Sequence, residues 1–432
     1  MSGVRESSAT DTPGEYPANG RSREPDDTLS DLLRPADRLA DIEASRIRRI
    51  FERAQEIEAG GERVIHFEIG RPDFDTPAHV KAAAHAALDA GHVHYSSNWG
   101  IPELRRAIAD KFVRDSGVNY SPDDEIIVTA GTGEAVFLAM MALLNPGDEV
   151  IIPTPAWPHY AETARLASAR PVCLPLDPSD GYRLRPENVR AAMTDRSRML
   201  IVCSPNNPTG TVASAETLKD LADVLAGRDV VVLADGIYEY LVYDQAHHVC
   251  AASIPALRDR TVVVGGFAKA YAMDRWRLGW LAGPRELVRW ALRVRQYTTV
   301  CAPTFLQYGA VAALAGDQRP RDEMRAEFAR RRAAAFEVLK TQDVLRVSGA
   351  EGAFYLYITY DPPLPSATEL ALELLETCHV ALVPGVAFGP GQDHAFRIAY
   401  SCPINDVVEG VGRVVDHLAR RVAAVGSQGD LA

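Results

Sequence analysis

From Leu39 to Glu58, the apolar residues Leu39, Ile42, Ile47, Ile50, Phe51, Ala54 and Ile57 recur at the spacing of one helix face, and Gly60-Gly61 ends the run. Further along, the apolar clusters become short and continuous: EIIVT (125–129), EVIIP (149–153), PVCLPL (171–176), MLIVCS (199–204), VVVLAD (230–235), TVVVGG (261–266) and LGWLAG (278–283). Most are rich in β-branched residues and do not alternate strictly with polar ones, which is the pattern of strands covered on both faces. Helix-period stretches such as Glu134–Leu144 and Ala215–Leu225 separate several of them. The alternation predicts an α/β fold: a large domain with a mainly parallel seven-stranded sheet flanked by helices. After about residue 310 the rhythm changes. A long helix (Arg321–Leu339), strand-like FYLYITY, a helix over Ala367–Cys378, then VALVPG and FRIAYS predict a smaller α+β domain. Residues 1–28 have almost no aliphatic side chains and read as a flexible tail.

Composition narrows the class without naming a chemistry. Hydrophobic residues make up 47% and charged residues 24% of 432, an ordinary globular mixture. Lys+Arg 46 against Asp+Glu 58 gives −12, which argues against a nucleic-acid partner. No apolar run approaches the roughly 20 residues of a membrane span, and the N-terminus lacks the apolar core of a signal peptide. The six cysteines form no C-x-x-C, so reduced thiols and a cytoplasmic location are expected. His92-x-His94 and His247-His248 lack further ligand spacing and read as surface or loop histidines, with no metal site.

Four local features carry candidate chemistry. EIIVTAGTGEAVFLAMMALL is a strand, a Gly-containing turn and a helix, whose first N–H groups can hold an anion or merely close a tight turn. A dinucleotide fingerprint would need glycine where Val136 stands. SPNNPTGT (204–211) follows a strand as a rigid loop, at the kind of strand end where open α/β sheets bind ligands. Asp235 ends an apolar strand, either as a cap or as a buried partner for a cation. Lys269 follows another strand, flanked by Phe267, Ala268, Ala270 and Tyr271. Most lysines are solvated surface charges, but desolvation there would depress its pKa and yield a usable amine.

Taken in order, GRPDFDTP (70–77), YSSNWGIPELR (95–105), the turn at 131–133, PAW (155–157), NPTG (207–210), D-x-I-Y (235–238), KAYAM (269–273) with WRLG (276–279), and FRIAY (396–400) resemble the class I/II aminotransferases. These are pyridoxal-phosphate enzymes of fold type I, and the resemblance spans roughly residues 40–420. It implies a large cofactor domain at 71–309 and a small domain built from 29–70 and 310–432. It also implies roles. Lys269 forms the internal aldimine and shuttles the proton, and Asp235 pairs with the pyridine nitrogen. Asn207 and Tyr238 bond the phenolic oxygen, and Trp157 stacks on the ring. Thr132, Gly133 and Arg277 hold the phosphate, and Tyr95 reaches the phosphate of a neighbouring subunit in a homodimer with shared active sites. Arg397, with Asn207 and the backbone at Gly70, grips the substrate α-carboxylate. Trp99 is a candidate for the entrance. Against core or surface roles for Trp157, Tyr238, Arg277 and Arg397 taken singly, the joint pattern favours the site.

Some positions depart from the family pattern. Ala268 stands where serine commonly helps hold phosphate, and Gly236 stands where glutamate is usual. Asp274-Arg275 replaces Thr-Gly, so that Arg275 either adds a cation near the cofactor or dimer interface, or pairs with Asp274 or a nearby acid. Gly133 lacks the lysine with which an aspartate-specific branch binds a distal carboxylate. The expected activity is therefore ping-pong transfer of the amino group from an amino acid with a neutral or apolar side chain to a 2-oxo acid. The alternative is a C–S β-lyase or another eliminating or decarboxylating pyridoxal-phosphate enzyme of specialised metabolism. The sensor half of a transcription regulator is disfavoured, since no DNA-binding module is expected ahead of the domain.

Overall fold

A computed structural model describes residues 36–42, 46–362 and 364–429. The predicted tail over 1–28 lies outside the described residues. The chain divides into a short unit, Met1–Ala40, whose described part is the turn Asp37–Leu39, and a unit Asp41–Ala432 that carries everything below.

All seven predicted strands form, and they form one sheet: β1 (Ile126–Thr129), β2 (Glu149–Thr154), β3 (Arg170–Pro175), β4 (Ser197–Cys203), β5 (Val231–Asp235), β6 (Thr261–Gly266) and β7 (Gly279–Ala282), in the order β1-β7-β6-β5-β4-β2-β3. Only β7 runs against its neighbours β1 and β6, and the other pairs are parallel. The lack of alternation has the expected cause, since alternate residues of the inner strands enter different cores. Ile126, Val128, Leu200, Val202, Val232 and Ala234 pack on one face. Ile127, Met199, Ile201, Val231 and Leu233 pack on the other. Strands buried on both sides need apolar residues at every position. The carboxyl ends of β1, β2, β4, β5 and β6 share one edge, and each is followed there by one of the sequence motifs.

A second, antiparallel sheet runs Val383–Pro384, Ala395–Ala399, Tyr355–Tyr360, Leu345–Ser348. Its core includes Phe328, Phe354, Leu374, Phe396 and Val411, from helices Arg319–Leu339, Ala367–Cys378 and Ile404–Gly429 as well as the strands. Ser366 and Glu369 close a capping box on Ala367–Cys378, which starts and stops where its sequence predicts. The first predicted helix is shorter than its apolar run, Arg46–Ala59, and ends at Gly60-Gly61 as expected. Strand Ile65–His66 pairs in parallel with Val380–Ala381, and Arg53 bonds Glu376, so the front of the chain joins its far end. The C-terminal helix Ile404–Gly429 was not predicted, although Val407, Val411, Val414, Val415 and Leu418 carry its period and are buried. Among the described residues no helix is long and apolar enough to cross a membrane.

Candidate active site

A cavity of about 750 Å³ opens at the shared strand edge. Ten predicted residues line it, Gly70, Thr132, Gly133, Trp157, Asn207, Asp235, Tyr238, Lys269, Arg277 and Arg397, whereas Trp99, the candidate for the entrance, packs against a hydrophobic core instead. Tyr95 does not line it either. It is 88% exposed and stands outside its own chain's cavity.

The floor is built by parallel strand ends. Asp235 closes β5, 2% exposed, in register with Cys203 of β4 and Val264 of β6. Its Oδ2 accepts from Tyr160 Oη at 2.8 Å and its Oδ1 from the Ile237 N–H at 3.0 Å. Burial pushes its pKa up to about 6, against those bonds and Lys269. A buried carboxylate with two donors and an acidity near neutral suits a cationic ring N–H as its partner, a better fit than a helix cap. Lys269 follows β6, and its Nζ donates to the Gly70 carbonyl at 2.6 Å. Desolvation draws its pKa down to about 8, opposed by Asp274 and assisted by the charges of Arg397 and Arg277. A fraction of the lysine is thus free amine near neutral pH, far more than for a solvated lysine.

The anion end lies at the turn after β1. Gly131 has φ +86 and caps helix Thr132–Leu143 without a side-chain bond, which leaves the first N–H groups of that helix for a ligand. A Cβ on Gly131 would stand 2.6 Å from Arg277 Nη2, so only glycine lets the guanidinium come this close. Arg277 itself bonds backbone oxygens, Nη1 to Asp274 at 3.0 Å and Nη2 to Ala130 at 3.5 Å, and forms no carboxylate pair among the described residues. Arg275 lines the cavity and, among the described residues, forms no ion pair with Asp274 or another acid. Ala268 lines the cavity with no hydroxyl to offer.

Arg397 is no strand-edge charge. It lies in the middle of Ala395–Ala399, 2% exposed. Its Nη1 donates to Asn207 Oδ1 at 3.2 Å and its Nη2 to the Glu68 carbonyl, while Nε is buried without a partner. A buried guanidinium with an unpartnered N–H beside an amide has the chemistry to hold a carboxylate. Trp157 is half-buried, its ring stacked on His159 at 4.4 Å and edge-on to Tyr160 at 5.4 Å. These donors, the buried acid and the open helix start fit pyridoxal phosphate: an aldehyde for Lys269, a ring nitrogen for Asp235, a phosphate for the turn.

Sequence reading missed Tyr160, which bonds Asp235, and Tyr355, which meets Tyr238 hydroxyl to hydroxyl at 2.8 Å. A buried tyrosine needs a polar partner, and that rule was the only available signal for either residue. It also missed Glu68, fully buried, with Oε1 at 2.8 Å from His66 Nδ1 and Oε2 unpartnered. His248 lies in a loop, as expected, but is half-buried there, and that burial draws its pKa down to about 4. Among the described residues no three side chains gather as a metal site.

The model of the family "Aminotransferase class I and II" matches residues 62–414. An aspartate aminotransferase of Pyrococcus abyssi is 36% identical over 88% of this chain and 97% of its own. An aromatic-amino-acid aminotransferase of Thermococcus litoralis has the same identity and coverage. The crystal structure of the aspartate aminotransferase from Rhizobium meliloti is 39% identical, with a TM-score of 0.84 over 88% of this chain and 98% of that one. Together with the motif order and the cavity they converge on, these matches settle the family: the chain belongs to the class I and II aminotransferases, pyridoxal-phosphate-dependent enzymes of fold type I.

Proposed function

We propose that the enzyme transfers the amino group of an amino acid with a neutral or apolar side chain to a 2-oxo acid, with Lys269 as its cofactor-bearing base. The observation that carries the assignment of roles is the convergence of Lys269, Asp235 and Arg397 on one cavity from three separate elements. When bound, pyridoxal phosphate supplies a conjugated, electron-accepting ring. The chain supplies the rest. Asp235 would hold the proton of the ring nitrogen, and Tyr238 and Asn207 would bond the phenolic oxygen. Thr132, Gly133 and Arg277 would take the phosphate, and Trp157 would cover the ring. Arg397 orients the substrate through its carboxylate, and Lys269, as the free amine, moves the proton from the substrate α-carbon.

The side-chain preference is supported by Gly133, which offers no cation, and by Ile47, Phe51 and Ile69 in the cavity wall. A second reading, an acidic substrate, draws on Arg48, Arg71 and Arg275 in the same wall and on relatives named aspartate aminotransferases. We further assign a homodimer in which Tyr95 serves the neighbouring site. The exposure of Tyr95 and of Tyr297, at 88% and 90%, supports it. We also propose domain limits near residues 70 and 310, supported by the separation of the four- and seven-stranded sheets, and a cytoplasmic setting, which six thiols without a disulfide suit. The test is a single-turnover panel without added 2-oxo acid. Leucine or phenylalanine converting the bound cofactor to its amine form, with aspartate inert, is the expected result. Aspartate alone reacting would transfer the assignment to the acidic reading. Pyruvate and ammonia released without the amine form would mark an eliminating enzyme.

A further inference from the structure

Tyr355 touches three members of the site. Its hydroxyl lies 2.8 Å from that of Tyr238. Its ring lies beneath the Arg397 guanidinium, 4.5 Å from ring centre to carbon. It also closes on Gly70, where a Cβ would meet Tyr355 Oη at 2.0 Å and Cζ at 2.9 Å, and the Gly70 carbonyl is the one that receives Lys269. The register explains the cluster. Tyr355 and Tyr357 stand opposite Ala399 and Arg397 on adjacent strands, so all four share one sheet face. Packed between glycine and guanidinium, the ring has little freedom to turn away.

Counting protons fixes the direction of the hydroxyl pair. Each phenol owns one O–H. Burial holds both phenols above their ordinary range, so both keep that proton at neutral pH. If Tyr238 donates to the cofactor's phenolic oxygen, its bond with Tyr355 must run from Tyr355 to Tyr238. A hydroxyl that accepts one hydrogen bond donates a stronger one.

We propose that Tyr355 is a positioning residue of this aminotransferase, donating to Tyr238 Oη and so strengthening the hold of Tyr238 on the cofactor's phenolic oxygen. The proposal rests on the assignment of Tyr238 above and is independent of the substrate side chain. Its test reads the resting holoenzyme, by pH titration of the visible band of lysine-bound cofactor. A donor to the phenolic oxygen favours the form in which that oxygen carries full charge, the deprotonated one. Losing it raises the midpoint. Tyr355→Phe keeps the ring and removes one neutral hydrogen bond, so the midpoint should rise by about half a unit to one unit. Tyr238→Phe should raise it further, and the double variant should match Tyr238→Phe alone, because Tyr355 acts through Tyr238. The other charged groups acting on Lys269, namely Asp274, Arg397, Arg277 and Asp235, are kept in every variant. A Tyr355→Phe midpoint within about 0.1 unit of the parent, with Tyr238→Phe shifted, overturns the proposal and leaves the Tyr238 assignment standing. No shift in Tyr238→Phe removes both. Additive shifts also overturn the proposal, since Tyr355 would then act without Tyr238.

Discussion

Replacing Arg397 by lysine tests how the site holds its substrate. The guanidinium gives Nη1 to Asn207 Oδ1 and Nη2 to the Glu68 carbonyl, and its buried Nε has no partner. Arginine has five N–H donors, so three remain for a carboxylate after those two bonds. A lysine in its place has three donors. Serving Asn207 and Glu68 leaves one, and two-point recognition becomes impossible. Losing one charge-assisted bond costs about 1.5–3 kcal/mol, or roughly a 10- to 150-fold weaker Kd for the amino acid. Cofactor loading should be nearly unchanged, because the cofactor's proposed anchors sit at the strand ends of the seven-stranded sheet, and the one that Arg397 bonds, Asn207, still receives a donor from the lysine. Titrating amino acid against the visible band measures both quantities in one cuvette, with the band itself reporting intact cofactor binding. A Kd within about threefold of the parent, in a fully loaded variant, would refute the carboxylate assignment.

Lys269 should show its depressed acidity in the cofactor-free protein. Competitive acylation followed by mass spectrometry is expected to give a midpoint near pH 8, and a midpoint above about 10 would contradict the desolvated setting. The linked stability has a definite sign. The folded pKa lies below the unfolded one, so burial of the charged amine weakens the apoprotein below about pH 8, and the penalty fades as pH rises toward 10.5. For Asp235 the folded pKa is raised, so the apoprotein gives up stability as pH climbs from about 4 through 6. Asp235→Asn should therefore raise the apoprotein melting temperature at pH 7 while lowering turnover about 100-fold or more. A lower melting temperature would count against a costly buried carboxylate. Ala268→Ser should tighten cofactor binding by roughly fivefold by supplying a hydroxyl at the cavity wall, and unchanged affinity in an equilibrium titration would place the phosphate elsewhere.

The sequence by itself determined the sheet. Seven short, mostly β-branched, non-alternating runs suited strands covered on both faces; all seven form strands, and all but the edge strand β3 are so covered. It also singled out Lys269 and Asp235, through the motif order they share with the aminotransferases, and the fold brings both to one cavity. Helices read less well. Ile404–Gly429 passed unseen despite its period, and Arg46–Ala59 starts later than its apolar residues allow.

Only the tertiary structure decided how far-apart groups meet. Arg397 looks like an ordinary strand charge until the second sheet buries it against Tyr355 and Asn207, 190 residues away in the chain. Tyr160 gains its meaning from Asp235, 75 residues on, and Tyr355 from Tyr238, 117 residues back. Arg275 beside Asp274 invited an ion pair that the backbone did not make. Local patterning governs which residues are buried, since burial follows from the period of one element. It cannot specify the partner of a buried polar group, because that partner arrives on a different element, and the cost of leaving it unpaired is felt only once both are out of water.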